Sequence, residues 1–330
     1  MVGRAPRDAG DRHPDRVNVE HLKSDAMTVI AVVGPTASGK SALALAVAEE
    51  LMSRQQSAEI VGTDSMQAYR GMDVGTATPS RVDQDRIPHH MIDVWDPRDA
   101  VTVVEFRDRA RTVIDDIDRR GAIAVVVGGS GLYVRAVLEE LDFPGTDPDV
   151  RAKWEQQLAQ VGAAELHAQL ARVDPTAAAA IEVNNGRRIV RALEVIEMTG
   201  EPFVATLPEP VDHYPTIRFG LRIDREVLDA RIAQRVEHMW QQGFVEEVRR
   251  LEAEGLRTAP TASAALGYGP ILEFLAGDIP EYDAKQRTID DTRKFARRQQ
   301  RWFARDERIQ WWDYDDPGVV PAIVGSVTST

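Results

Sequence analysis

The chain has 330 residues, 28% of them charged and 43% hydrophobic, with a formal net charge of −13 and no cysteine. That length supports one large α/β domain or two domains with good cores, while the missing cysteines exclude disulfides and thiolate metal sites. No apolar run approaches a membrane span and no secretory signal is visible, so a cytoplasmic enzyme is expected, with general nucleic-acid affinity opposed unless the basic residues are gathered in one place.

Residues 1–26 are rich in Arg, Asp, Pro and Gly and nearly free of apolar side chains, the composition of a disordered tail; Met27 directly precedes the first strand. The apolar run Val29-Ile30-Ala31-Val32-Val33 leads into Gly34-Pro35-Thr36-Ala37-Ser38-Gly39-Lys40-Ser41 and then a helical pattern from Leu43 to Ala48. Strand, glycine loop and helix form the context of a phosphate-binding loop. Gly34 and Gly39 permit the tight turn that aims successive N–H groups at an anion, and the new helix adds its positive end. Lys40 offers a point charge for a terminal phosphate, and Ser41 a hydroxyl able to ligate Mg²⁺. The loop binds a di- or triphosphate, and by itself does not say which.

Glu59 to Thr63 reads as a short strand ending in Asp64-Ser65-Met66-Gln67. Ligands of open α/β sheets bind beyond the carboxyl ends of strands, which sets Asp64 one strand along from the phosphate loop. It reads equally as a site carboxylate or as a cap on the turn that follows. Pro88 to Val94 reads as another strand, whose adjacent His89 and His90 face opposite sides and make a poor metal site. Helical spacing runs through Val103, Phe106, Ala110, Val113 and Ile117, and Ala122 to Val127 is the unbroken apolar run of a buried parallel strand. It ends in Gly128-Gly129-Ser130-Gly131, where ordinary phosphate-loop NTPases carry an aspartate for the Mg²⁺ shell. The small residues imply close approach by a ligand, and the missing aspartate weakens an ATPase reading.

From Asp147 to Gly200 the pattern is helical throughout, bounded by Pro144, Gly145 and Pro148 on one side and Pro202, Pro208, Pro210 and Pro215 on the other. Asn184-Asn185-Gly186 opens a helix carrying Arg187, Arg188 and Arg191, read either as a solvated face or as a phosphate-contacting one. A strand at Phe219 to Ile223 precedes a long helix from Arg225, with Arg231 and Arg235 on one face beside an apolar stripe. Leu266-Gly267-Tyr268 marks a turn into a short helix. Residues 285–308 gather nine Lys/Arg against four acids, interleaved with Phe295, Trp302 and Phe303, a pattern of single-stranded nucleic-acid surfaces or of an amphipathic core helix. The expected fold is α/β: a P-loop NTPase-like parallel sheet flanked by helices, with an inserted all-α subdomain. Its parts are the core at 27–143 and 212–314, the helical insert at 144–211 and a flexible tail at 315–330.

Taken together, GPTASGKS (34–41), DSMQAYRGMDVGTA (64–77), PHHMID (88–93), VGGSGLY (127–133), RRIVRALEV (187–195), LGY (266–268) and ARRQQRWF (296–303) resemble the bacterial tRNA dimethylallyltransferases, over roughly residues 28–314. The resemblance implies magnesium-dependent transfer of a dimethylallyl group from dimethylallyl diphosphate to N6 of the adenosine just 3′ of the anticodon (tRNA position 37), with diphosphate leaving and no ATP hydrolysed. By the same resemblance Asp64 is the base, and Thr36, Lys40, Ser41 with Mg²⁺, and Arg235 stabilise the departing diphosphate. Asp64, Ser65, Met66, Gln67 and Ser130 would line the base site. Arg151, Arg187, Arg188, Arg191, Arg297, Arg298, Gln299, Arg301 and Trp302 would contact the anticodon stem-loop of the tRNA. A monomer is the expected state. Three positions depart from the family pattern, Thr78 for Lys, Gly269 for Arg or Lys and Arg301 for Thr, and these bear on individual tRNA contacts. The alternative is a phosphate-loop kinase for a small molecule with ATP as donor, which leaves the basic stretch at 285–308 unexplained.

Overall fold

The computed structural model describes residues 28–205 and 207–328; the tail expected at residues 1–26 lies outside the described residues. Six strands, β1 (Val29–Val33), β2 (Ala58–Gly62), β3 (His89–His90), β4 (Ile123–Gly128), β5 (Thr216–Arg222) and β6 (Ile309–Asp313), form one sheet in the order β3-β2-β4-β1-β5-β6. Every pairing is parallel. The helices are α1 (Lys40–Ser53), α2 (Arg81–Arg86), α3 (Val103–Arg119), α4 (Gly131–Leu138), α5 (Pro148–Val173), α6 (Pro175–Ala180), α7 (Gly186–Thr199), α8 (Arg225–Gln241), α9 (Phe244–Ala253), α10 (Tyr268–Ala276), α11 (Glu281–Phe303) and α12 (Val319–Thr328).

β1 is an unbroken β-branched and alanine run because both sheet faces are covered, so alternation with polar residues would bury them. On one face Ala31, Val33 and Val126 pack with Phe106, Ile114 and Val137 of α3 and α4. On the other, Ile30, Val32 and Ile60 pack with Val47, Leu51, Ile323 and Val324 of α1 and α12. The last two residues belong to the segment expected to be a flexible tail, and both are fully buried. Val319, Ile323 and Val324 recur at helical spacing, and that short stripe is what α1 covers.

Two other expectations are corrected. The strand expected at 88–94 stops after His90, because Met91 (φ 66°) and Asp93 (φ 54°) turn into the left-handed region and leave the sheet. Asp64 is not one strand along from the phosphate loop: β4 pairs with both β1 and β2 and separates them.

The helical insert has its own core, with Leu166 and Leu170 of α5 packed on Ile189 and Leu193 of α7. Its two ends leave the core side by side. Glu139 and Asp212 form an antiparallel bridge, the Glu140 N–H donates to Val211 O (2.8 Å) and the His213 N–H to Leu138 O (2.8 Å). Glu139, 1% exposed, also pairs with Arg135 and Arg308, so the neck is tied to the chain beyond α11.

Candidate active site

The phosphate loop is built as a cradle. Gly39 ends it at φ 103°, a left-handed conformation open to glycine, and delivers the chain into the first turn of α1. The Lys40 amine donates to Pro35 O (3.2 Å), folding back over the loop, and the Ser38 hydroxyl is fully buried with no partner. From α8, Arg231 donates to Ser38 O (3.3 Å) and stacks over the Tyr314 ring (4.8 Å), while Arg235 donates to Thr76 O (3.4 Å). Lys40, Ser41, Arg231 and Arg235 line one cavity of about 610 Å³.

Among the described residues, none of these three cations forms an ion pair, although the chain carries an excess of acids. Burial, reinforced by the Arg235 charge, pushes the Lys40 amine down to about 8, and the Asp64 carboxylate pulls it partly back. Burial likewise lowers Arg235, again opposed by Asp64. Unpaired, half-buried cations beside an orphaned hydroxyl at a helix N-terminus are arranged for a polyanion. Arg231 and Arg235 look in the sequence like a solvated helical pair; the structure turns Arg231 onto the phosphate loop and Arg235 onto the Thr76 carbonyl, both lining the same cavity.

Asp64 is both of its readings at once. One carboxylate oxygen accepts the Met66 N–H (3.0 Å), holding the turn, and the carboxylate still faces Lys40 and Arg235 electrostatically. Beside it the Ser65 side chain hydrogen-bonds the Tyr133 hydroxyl, whose pKa burial pushes up. Ser130 opens α4 with its hydroxyl uncommitted to the cap. Met66, by contrast, packs against the cluster around Tyr69, Phe244 and Tyr268, and the Gln67 amide donates to Thr76 O (3.1 Å) and Ala77 O (3.2 Å), bracing the loop.

The glycines after β4 serve protein packing, not ligand approach. A Cβ at Gly129 would sit 2.5 Å from Gln299 Nε2, and one at Gly131 would collide with the Trp302 indole. Gln299 is therefore not at the tRNA surface: it is 7% exposed, and its Oε1 accepts the Thr36 N–H (2.8 Å), so α11 fastens the phosphate loop from behind.

Most of the expected tRNA contacts are committed internally. Arg188 donates to Ala205 O, and Arg191 donates to Pro144 O (2.6 Å) and Gly145 O (3.0 Å) while pairing with buried Glu194 (3.1 Å). Arg151 pairs with Glu155 and Glu194, and Arg297 with Asp229 (3.6 Å). Of the nine basic residues at 285–308, six have acidic partners: Lys285, Arg287, Arg293, Lys294, Arg297 and Arg308. Arg298, Arg301 and Arg305 have none among the described residues and all three are exposed: Arg298 and Arg301 lie one turn apart on α11 beside Trp302, itself 39% exposed, and Arg305 sits in the turn that follows the helix. Arg187 is exposed as well, on the side of α7 that faces Tyr133.

No cluster of three His, Cys, Asp or Glu is placed to hold a metal among the described residues, so Mg²⁺ would be held here through the exposed Ser41 hydroxyl. That fits an ion that keeps several waters and takes its anionic ligands from substrate phosphates. Sequence reasoning missed Glu247, 7% exposed, although its position among Phe244, Val248 and Leu251 puts a charge on an apolar helix face.

The family profile described as IPP transferase matches residues 67–306. The tRNA dimethylallyltransferase of Thermobifida fusca is 56% identical over 293 residues, covering 89% of this chain and 92% of its own. That of Salinispora arenicola is 54% identical over 295 residues, covering 89% and 85%. The crystal structure of the full-length tRNA isopentenylpyrophosphate transferase from Bacillus halodurans superposes with a TM-score of 0.67 at 35% identity, covering 92% of this chain and 96% of that one.

Proposed function

Since the chain belongs to the IPP transferase family, and so transfers a dimethylallyl group to tRNA, we propose that dimethylallyl diphosphate docks in the cavity of Lys40, Arg231 and Arg235 and reacts at Asp64. The acceptor is the exocyclic N6 of the adenosine 3′ of the anticodon. One observation carries the assignment: Lys40, Arg231 and Arg235, without an ion pair among the described residues, line one cavity with the Ser41 hydroxyl.

The adenine amine is a weak nucleophile because its lone pair is delocalised into the ring, so it must lose a proton as it attacks. As the N6–C1 bond forms, the free oxygen of Asp64 takes that proton, while the C1–O bond breaks and its electrons leave with the diphosphate. Lys40, Arg231, Arg235 and the N–H groups of the phosphate loop meet the charge that builds on the leaving group. Thr36 presents its hydroxyl from the same loop, and its backbone is fixed by Gln299. Mg²⁺, bound through Ser41 and the substrate phosphates, would add charge neutralisation there. Ser65, Tyr133 and Ser130 offer hydroxyls to the edge of a base flipped from the anticodon loop. Arg187, Arg298, Arg301 and Arg305 meet the RNA backbone, and Trp302 gives a stacking surface. A single copy of the chain supplies every group named.

The test is a paired turnover assay with unmodified tRNA and Mg²⁺, one arm with dimethylallyl diphosphate and one with ATP. Diphosphate release with a dimethylallyl mass gain on one adenosine, in the first arm only, is expected. Phosphoryl transfer in the ATP arm alone would replace this reading with the kinase. In the first arm Asp64→Ala should cut kcat by about 10²-fold or more while leaving tRNA affinity intact; lost tRNA affinity would make Asp64 a turn cap and nothing else.

A further inference from the structure

We propose that Glu247, which touches no substrate, is a positioning residue for the reaction: its carboxylate holds the 73–75 loop so that the Thr76 carbonyl orients Arg235 toward the leaving diphosphate. The inference rests on the reading of Arg235 as a diphosphate ligand.

The geometry is local and complete. Glu247 Oε2 accepts the N–H groups of Asp73 (2.8 Å) and Val74 (2.7 Å), and Oε1 accepts the Gly75 N–H (3.0 Å) and the Tyr268 hydroxyl (2.8 Å). Four donors fill the acceptor capacity of one carboxylate, and at 7% exposure water does not compete for it. The next residue, Thr76, offers its carbonyl to Arg235 Nη2 (3.4 Å) and to Gln67 Nε2 (3.1 Å). The Thr76 carbonyl is the one hydrogen-bond acceptor Arg235 has among the described residues, so its position sets the direction of the guanidinium fork and leaves the remaining N–H groups for an anion.

The clamp closes from two helices. Arg235 comes from α8 and Glu247 from α9, which are joined through Gly243 at φ 91°. The loop they hold begins at Asp64 and passes through Gln67, so base and leaving-group ligand are registered to one another through the same peptide segment. Phe244 and Tyr268 press against Gly75, where a Cβ would collide with both, so the loop cannot shift toward α9 to compensate for a lost bond.

In Glu247→Gln the amide nitrogen would face backbone N–H groups it cannot accept, and the loop would drift. A displacement of about 1 Å at the reacting groups lowers kcat by about 10²-fold, so a fall of 10- to 100-fold is expected, with the KM for tRNA unchanged. The deciding measurement is a double-mutant cycle with Arg235→Lys. If Glu247 acts through Arg235, the double variant turns over within about twofold of Arg235→Lys alone. Multiplying effects, or no loss of kcat in Glu247→Gln, overturns the proposal. An Arg235→Lys variant with wild-type kcat and wild-type affinity for inorganic diphosphate would instead refute the diphosphate reading beneath it. Should Glu247→Gln fail to fold, Tyr268→Phe removes one of the four donors without changing charge, and the same cycle decides, with a smaller loss expected.

Discussion

Replacing Lys40 by methionine should make the empty protein more stable while abolishing its affinity for diphosphate. The Lys40 amine sits at about 8 instead of 10.5 because burial and the Arg235 charge penalise its protonated form. That depression corresponds to about 3 kcal/mol of unfavourable interaction at pH 7. Lys40→Met removes it and forfeits the hydrogen bond to Pro35 O, worth about 1 kcal/mol, for a net gain of about 2 kcal/mol. The sign with pH follows from the lowered value. Between about 8 and 10.5 the unfolded chain holds a proton that the folded one has released, so wild-type stability rises across that window relative to the variant. Bound diphosphate restores the proton, so wild-type affinity should fall about tenfold per pH unit above about 8. Lys40→Arg, charged throughout, controls for titration of the ligand itself. Denaturant unfolding at pH 7 and pH 9.5, with calorimetric titration of inorganic diphosphate, reads both effects. A variant less stable than wild type at pH 7, with the same pH profile, would refute the reasoning.

Three further outcomes are expected. The four exposed arginines without an acidic partner among the described residues, Arg187, Arg298, Arg301 and Arg305, should give tRNA binding a log–log salt slope of about −3 if each releases counterions from one loop phosphate; a flat response in a binding titration would remove their role. Trp302→Ala should cost about 1–3 kcal/mol of tRNA affinity with the KM for the prenyl donor unchanged, and an altered donor KM would mean that the indole supports the phosphate loop instead. Ile323→Ala should destabilise the fold by about 2–5 kcal/mol, measured by thermal unfolding; a change under 0.5 kcal/mol would return α12 to the status of a loose tail.

The sheet core was legible because its strands are continuous apolar runs and its loops carry glycines at strand ends, signals that lie within ten residues of one another. The phosphate loop, Asp64 and the long helices belong to that class. What the sequence hid was partnership. Arg188, Arg191 and Arg298 look alike as letters, yet the first two are bound to carbonyls at the ends of the insert, and the third lies exposed over the Phe295 ring with no acidic partner among the described residues. Gln299 looked like part of a basic surface because its neighbours are arginines, but a helix turns each successive side chain by 100°, and its direction is inward. Glu247 and the loop it holds are more than 170 residues apart, beyond any local pattern. The brevity of the α12 stripe, and the crossing of β4 between β1 and β2, likewise needed three dimensions.

The paired exit of the insert has a consequence for how the chain assembles. β1 meets its second neighbour, β5, only after the whole segment between Glu139 and Asp212 has been made. Closing that span as a floppy loop of about 70 residues would carry the full entropy of ring closure before β5 could be rewarded for pairing. Because α5 and α7 fold onto one another through contacts of their own, the insert can condense first and present its two ends as a ready-made hairpin neck. The detour then behaves kinetically like a short turn. A lesion in the insert's core, such as Leu193→Ala, would thus slow completion of a sheet it never touches.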